Sequence, residues 1–324
     1  LNNYHKTNAT FIFIRILLLL TSCTTTEKSE EPLHKKEYKT DITETIDTFE
    51  HPQTNQKYKI VHTSQLFERY LDKVKENPSE ATLELYQEEI IQPVYKECFE
   101  NGEYLHMAEA LFNSHPDNLA ELEIINEKLE LRKNEVNELI QESLLKSAEL
   151  LPSQKDVAIC VFPSSNLDSY MFAAGAGKII ITYNKNFMND IIRVGVAHEY
   201  HHSVWTEKHL SNEPMTVLDT LIFEGKAVMF EKTVYPNLDS TPVDSAYNKE
   251  LWSKIEPDLN KYDLDRSLEI IVGGNDLPWS YGYSEGYKMV KSYLDVNPNL
   301  TPEEWTALSS KEIIEKGKYF DHYK

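Results

Sequence analysis

In Val196-Ala-His-Glu-Tyr-His-His-Ser-Val204 two histidines stand one helical turn apart, and that spacing constrains the fold of everything around it. On an α-helix His198 and His202 share a face, with Cβ atoms about 5–6 Å apart, so both imidazoles can reach one ion at about 2.0–2.1 Å. Glu199, turned about 100° around the axis, would lie beside the ion's open position and not on the ion. Val196, Ala197, Tyr200, Ser203 and Val204 carry no charge, as a helix buried under a cleft requires. The face continues as Ile191, Gly195, His198, His202 and Trp205, a stripe that changes from packing to metal-binding chemistry. His201 lies off the stripe and is expected as a polar neighbour in the cleft wall, not as a ligand.

A catalytic zinc usually takes three protein ligands and keeps one position open. The next helical pattern, residues 216–231, collects Val217, Leu221, Glu224 and Val228 on one face. A carboxylate inside an apolar stripe is costly to bury unless it is paired or bound to a cation. Glu224 is therefore the expected third ligand. Gly225 and Ala227 beside it are small, which would let this helix pack closely on the first. Asp219 and Glu231 are weaker candidates, as acceptors that orient the ligand imidazoles.

His198-Glu-Tyr-His-His202 followed by Glu224-Gly-Lys-Ala227 resembles the gluzincins, zinc peptidases whose third ligand is glutamate. The run from near Val157 to about Leu294 resembles more closely a bacterial family of predicted Zn-dependent proteases, a domain of unknown function. The residues that carry this are the histidine motif, Ile222-Phe-Glu-Gly-Lys-Ala227 and Gly282-Tyr-Ser-Glu-Gly-Tyr287, with a weaker match over residues 60–71. The resemblance implies an α+β, predominantly helical, zincin-like domain with a small mixed sheet over the active-site helix. It also implies one Zn²⁺ and a peptide or protein substrate. Glu199 would be the base, taking a proton from the attacking water and delivering it to the leaving amine. A tyrosine hydroxyl opposite the base would stabilise the oxyanion. Tyr283 is the first choice, Tyr287 the second and Tyr281 the third. Tyr283, Tyr287, Val290 and Leu294 also share a helical face, the pattern of a packing stripe. Glu285, between two glycines, departs from the mostly apolar residues expected there. A rival reading keeps the scaffold as a non-catalytic metal- or peptide-binding lipoprotein. Glu199 argues against it, because a binding protein has no need of a base beside its ligand.

The chain has 324 residues and a formal net charge of −20. Such an acidic surface repels phosphates and disfavours nucleic acid as a partner. Residues 1–22 read as a lipoprotein signal peptide. Lys6 opens it, and Phe11-Ile-Phe-Ile-Arg-Ile-Leu-Leu-Leu-Leu20 is apolar but too short to span a bilayer. Leu20-Thr-Ser-Cys23 matches a bacterial lipobox, so Cys23 is expected to be lipidated after cleavage. The protein would then be exported and lipid-anchored to the bacterial cell membrane, at the surface or in the periplasm. Cys98 and Cys160 fall in different expected elements and are read as two unpaired, buried thiols.

Residues 23–56 are rich in Thr, Glu, Lys and Asp and read as a flexible tether. Residues 57–324 are expected as a single peptidase domain, helical over 57–150 and catalytic over 151–324. A strand is expected at residues 58–62 and one long helix at 118–150. Val157, Ile159 and Val161 alternate as a strand, and residues 178–183 form a second β-rich run. The strand nearest the metal helix would form the cleft's upper edge, where substrate backbone could add by β-pairing. Aminopeptidases among the gluzincins carry an acid near this point, and Gly175-Ala-Gly-Lys178 has none, so endopeptidase action is expected. Helices near 243–259, 281–294 and 301–308 close the domain.

Overall fold

The computed structural model describes residues 42–167, 171–238 and 241–323; the expected signal peptide, Cys23 and most of the tether lie outside these. Five strands, β1 (Ile46–Glu50), β2 (Lys57–His62), β3 (Val157–Pro163), β4 (Met171–Gly175) and β5 (Lys178–Tyr183), form one sheet in the order β1-β2-β3-β5-β4. Pairings β2–β3 and β3–β5 are parallel, and the outer pairings β1–β2 and β4–β5 are antiparallel. Before β3 come helices α1 (Ser64–Glu76), α2 (Leu83–Tyr86), α3 (Gln92–Cys98), α4 (Glu109–Asn113), α5 (Leu119–Leu131) and α6 (Lys133–Leu150). After β5 come α7 (Asn189–His209), α8 (Val217–Val234), α9 (Lys249–Ile255), α10 (Leu264–Val272), α11 (Tyr281–Val296), α12 (Pro302–Thr306) and α13 (Ser310–Lys316). The chain is thus a predominantly helical α+β protein with a small mixed sheet. Among the described residues no helix is long and apolar enough to cross a membrane.

The sheet is buried on both faces, which is why β3 reads as a continuous apolar run. Ile159 and Val161 pack with α5, α6 and α7, whereas Cys160 and Phe162 point to the other side, against α1 and α3. A third apolar cluster joins α8, α10, α11 and the C-terminal residues around Tyr319.

Several expectations are corrected. The tether is not featureless to residue 56, because Ile46–Glu50 pairs with Lys57–His62 and Phe49 stacks on Tyr58 at 4.7 Å. The expected 118–150 helix breaks at Arg132. Its guanidinium leaves the helical line to reach the Tyr183 hydroxyl (2.6 Å) and Asn189 Oδ1 (2.5 Å). Residues 243–248 are loop, and α9 starts only where Asn248 caps the N–H groups of Glu250 and Leu251. Residues 178–183 are interior to the sheet. The edge beside the metal helix is β4, a strand too short and too rich in Ala and Gly to be read from propensity.

Cys98 and Cys160 are bonded to each other as a disulfide. Both sulfurs belong to the same buried cluster where α3 lies on β3, so the two expected elements meet in space.

Candidate metal centre

Helix α7 runs beneath β4 and carries both histidines; α8 returns alongside it after a short connection. The entry to α8 is fixed by a reciprocal cap, in which Thr216 Oγ1 accepts the Asp219 N–H and the Asp219 carboxylate accepts the Thr216 N–H. Asp219 is therefore a helix cap and not an acceptor for a ligand imidazole. Two turns on, Glu224 faces the histidines.

His198 Nε2, His202 Nε2 and Glu224 Oε2 form a compact triangle. The two nitrogens stand 3.1 Å apart, and the oxygen lies 3.3 Å from one and 3.2 Å from the other. Ligands at about 2.0 Å on a tetrahedron stand about 3.3 Å from each other. The three atoms thus already have the spacing of one face of a zinc tetrahedron, and they are the group among the described residues whose donor atoms could share one metal ion.

The surrounding charge agrees. Glu199, Glu224 and Glu231 converge on two imidazoles, and Glu231 is 1% exposed. So much buried negative charge is costly without a cation among it. Burial works against a charged His198, but hydrogen bonds to Glu224 and Glu231 outweigh it and raise its pKa well above the ordinary value. Burial would push the Glu224 carboxyl up, yet the His202 charge and bonds to both imidazoles hold it well below the usual carboxylate range. These residues fit a divalent cation with N and O ligands.

Glu199 is not part of the triangle. Its Oε2 accepts the Ala173 N–H of β4 at 2.8 Å, so the edge strand holds it beside the site. Burial raises its pKa; the His198 and His202 charges oppose this and Glu224 reinforces it. A carboxylate made more basic in this way is a better proton acceptor.

Glu231 holds His198 from behind, accepting from Nδ1 at 2.8 Å. This fixes which nitrogen of the ring faces the triangle. His202 is held differently. Among the described residues its Nδ1 has no hydrogen-bond partner, and the ring stacks on Phe223 at 4.1 Å.

The three candidate tyrosines separate. Tyr283 meets the His198 ring edge-on, with centroids 6.1 Å apart. Tyr287 lies under the Lys232 ammonium at 5.9 Å, and Tyr281 is buried in the C-terminal cluster near Glu285. Only Tyr283 of the three adjoins a member of the triangle. His201, expected in the cleft wall, is instead fully buried in the core. It stacks on Trp305 and lies against Phe230, with Nε2 at 3.2 Å from the Thr306 hydroxyl.

A family model described as Predicted Zn-dependent protease (DUF2268) matches residues 136–315. The chain belongs to this family. Neither the curated proteins nor the solved structures contain a match to it. The family span begins in α6 and ends in α13, so it takes in all five residues His198, Glu199, His202, Glu224 and Tyr283.

Tyr104 lies outside that span and was missed from the sequence. Its hydroxyl is 3.0 Å from Thr206 Oγ1, one turn beyond His202, and its ring approaches Phe223 at 6.4 Å. Its N–H donates to the Ala174 carbonyl on the open margin of β4, next to the point where Glu103 Oε2 accepts the Ala176 N–H. Nothing local signals these contacts, since the turn is brought to β4 across some seventy residues of chain.

Proposed function

We propose that this chain is a zinc-dependent endopeptidase, anchored to a membrane through Cys23 after export. The observation that carries the reading is the triangle of His198, His202 and Glu224 at tetrahedral spacing with the Glu199 carboxylate held beside it. The family's description as a predicted Zn-dependent protease supports the same chemistry. Zinc bound there would supply Lewis acidity, drawing the pKa of water down toward about 7 and polarising the scissile carbonyl.

The chain's own residues then have separate tasks. His198 and His202 would hold the ion through Nε2, and Glu224 would add one oxygen and a negative charge. Glu199 takes the proton of the attacking water and hands it to the leaving amine, a role for which its burial-raised basicity suits it. Tyr283, whose ring meets His198 edge-on, would supply a hydroxyl for the developing oxyanion. The turn Gly175-Ala-Gly-Lys178 carries no acid of its own for a substrate's free amine, and Glu103, which the fold brings beside Gly175, accepts the Ala176 N–H with Oε2. That keeps the endopeptidase reading. The Cys98–Cys160 disulfide supports export, because such bonds persist in oxidising compartments.

The test pairs metal analysis with a peptide-library assay on N-terminally blocked peptides. Glu199→Gln should keep zinc and lose hydrolysis by about 10²–10⁴-fold, whereas Glu224→Ala should lose zinc. Full zinc retention by Glu224→Ala removes that residue as a ligand. Zinc and peptide binding without cleavage by the wild type would make the protein a binding lipoprotein.

A further inference from the structure

We propose that Thr241, on the loop joining α8 to α9, is a positioning residue that fixes Glu231 on His198, and that the C-terminal turn holds this loop in place. The inference rests on the zinc reading above. Both oxygens of the buried Glu231 are engaged. The Thr241 N–H donates to Oε1 at 2.7 Å, and the Thr241 hydroxyl donates to Oε2 at 3.0 Å. His198 Nδ1 donates to the same Oε2 at 2.8 Å.

Two donors from one residue grip the carboxylate as a fork. The terminal torsion of a glutamate is broad and two-fold, so a single bond from the imidazole would leave its plane unspecified. A ligand imidazole is aimed by the partner of its far nitrogen. The plane of Glu231 therefore sets the direction of His198 Nε2. Among the described residues this is the side of the site where a hydrogen bond aims the imidazole, since His202 Nδ1 meets no such acceptor there.

Thr241 itself stands in a segment, residues 241–248, that is mostly exposed. The Tyr247 ring stacked on His322 at 3.9 Å holds its far end, and polar anchors hold the rest. Lys232 Nζ donates to the Thr241 carbonyl at 3.0 Å, the Asp244 N–H to Ser284 Oγ at 3.0 Å, and Lys288 Nζ to the Ala246 carbonyl at 2.5 Å. Lys288 pairs with Glu285 at 2.8 Å, both almost wholly buried. Glu285 in turn accepts the hydroxyls of Tyr319 and, at 3.0 Å, Tyr323. The acid that departs from the expected pattern between Gly282 and Gly286 is thus the hub tying the chain's end to the loop.

The experiment compares full-length wild type, Thr241→Val and Thr241→Ser for Zn²⁺ affinity, by chelator competition, and for the d–d absorption of the Co²⁺-loaded protein. Thr241→Val keeps the backbone donor and the volume but loses the hydroxyl. It should weaken Zn²⁺ binding about tenfold and shift the Co²⁺ bands, while Thr241→Ser restores both. Metal-free melting temperatures should be equal across the three, which separates aiming from folding. Tyr323→Phe should move Zn²⁺ affinity the same way, by less. Wild-type affinity and Co²⁺ bands in Thr241→Val overturn the inference and leave the zinc reading standing. A wild type that takes up no Zn²⁺ removes both. If Thr241→Val melts lower when metal-free, failure of Thr241→Ser to restore affinity is the overturning result.

Discussion

His201 and His202 are adjacent in the chain, yet one is a core residue and the other is a vertex of the candidate metal triangle. The helical period explains the difference: His202 shares a face with His198, and His201 is turned toward Trp305 and Phe230. Burial, with the charges of His202 and Lys226, holds the His201 pKa well below its ordinary value of 6.5. The folded protein therefore keeps His201 neutral, while the unfolded chain binds a proton below pH 6.5. The unfolded state then holds more protons, so this residue's contribution to stability is complete above pH 6.5 and is lost as pH falls toward the depressed folded value. Loss should approach about 1.4 kcal/mol per pH unit. His201→Phe should flatten that limb, and urea midpoints of metal-free protein between pH 7 and 5 measure it; equal slopes in both proteins would contradict the assignment. The two histidines of the triangle were legible from spacing because one helix, α7, fixes their mutual geometry, and Glu224 on α8 was legible as a carboxylate within an apolar stripe. Thr241 and Tyr104 were not, because each reaches its partner through loops whose course no local pattern encodes.

At the scale of elements, α8 is the part whose placement the site depends on most. Gly225 was expected to seat α8 against α7, but its bare Cα faces α11. A Cβ there would stand 2.1 Å from the Gly286 carbonyl carbon, and one on Gly286 would stand 2.0 Å from the Leu221 oxygen. The two helices touch backbone to backbone at this crossing. Gly286→Ala should force them apart, costing roughly 1–3 kcal/mol, and should weaken Zn²⁺ binding as Glu224 moves away with α8. Thermal melts with and without Zn²⁺ test this. A variant that melts lower but holds zinc normally would mean the crossing matters only for packing. The small residues were visible in the sequence, but their partner was not, since a glycine says that something comes close and not what. Strand β4 was hidden for a related reason: Met171-Phe-Ala-Ala-Gly175 is a strand because β5 offers it a ladder, not through propensity of its own.

For the whole molecule, the sheet is the shared wall between two bodies of helices. Helices α1 to α4 lie on one face outside the family span, and the disulfide stitches α3 to β3 of that wall. It closes a loop of sequence separation 62, which in the chain-entropy picture amounts to roughly 4 kcal/mol. Reduction, or the Cys98→Ser/Cys160→Ser double variant, should lower the urea midpoint accordingly. An unchanged midpoint under reductant would show that the bond contributes little. Strands β2, β3 and β5 and the long helices α7, α8 and α11 were legible because β-rich runs and helical period survive in a single sequence. The thiol pairing was not, because it depends on which helix lands on which strand.

The two margins of the sheet have a consequence of another kind. On one side β1 is short and carries Asp47 and Glu50. On the other, the outward groups of β4 at Ala173 and Ala174 are engaged by Glu199 and Tyr104. An unsatisfied strand margin invites a neighbour's backbone and, with it, fibre growth. Here, among the described residues, one rim is short and acidic and two backbone groups of the other are already taken, so neither margin offers crowded copies a long ladder on which to zip into ribbons.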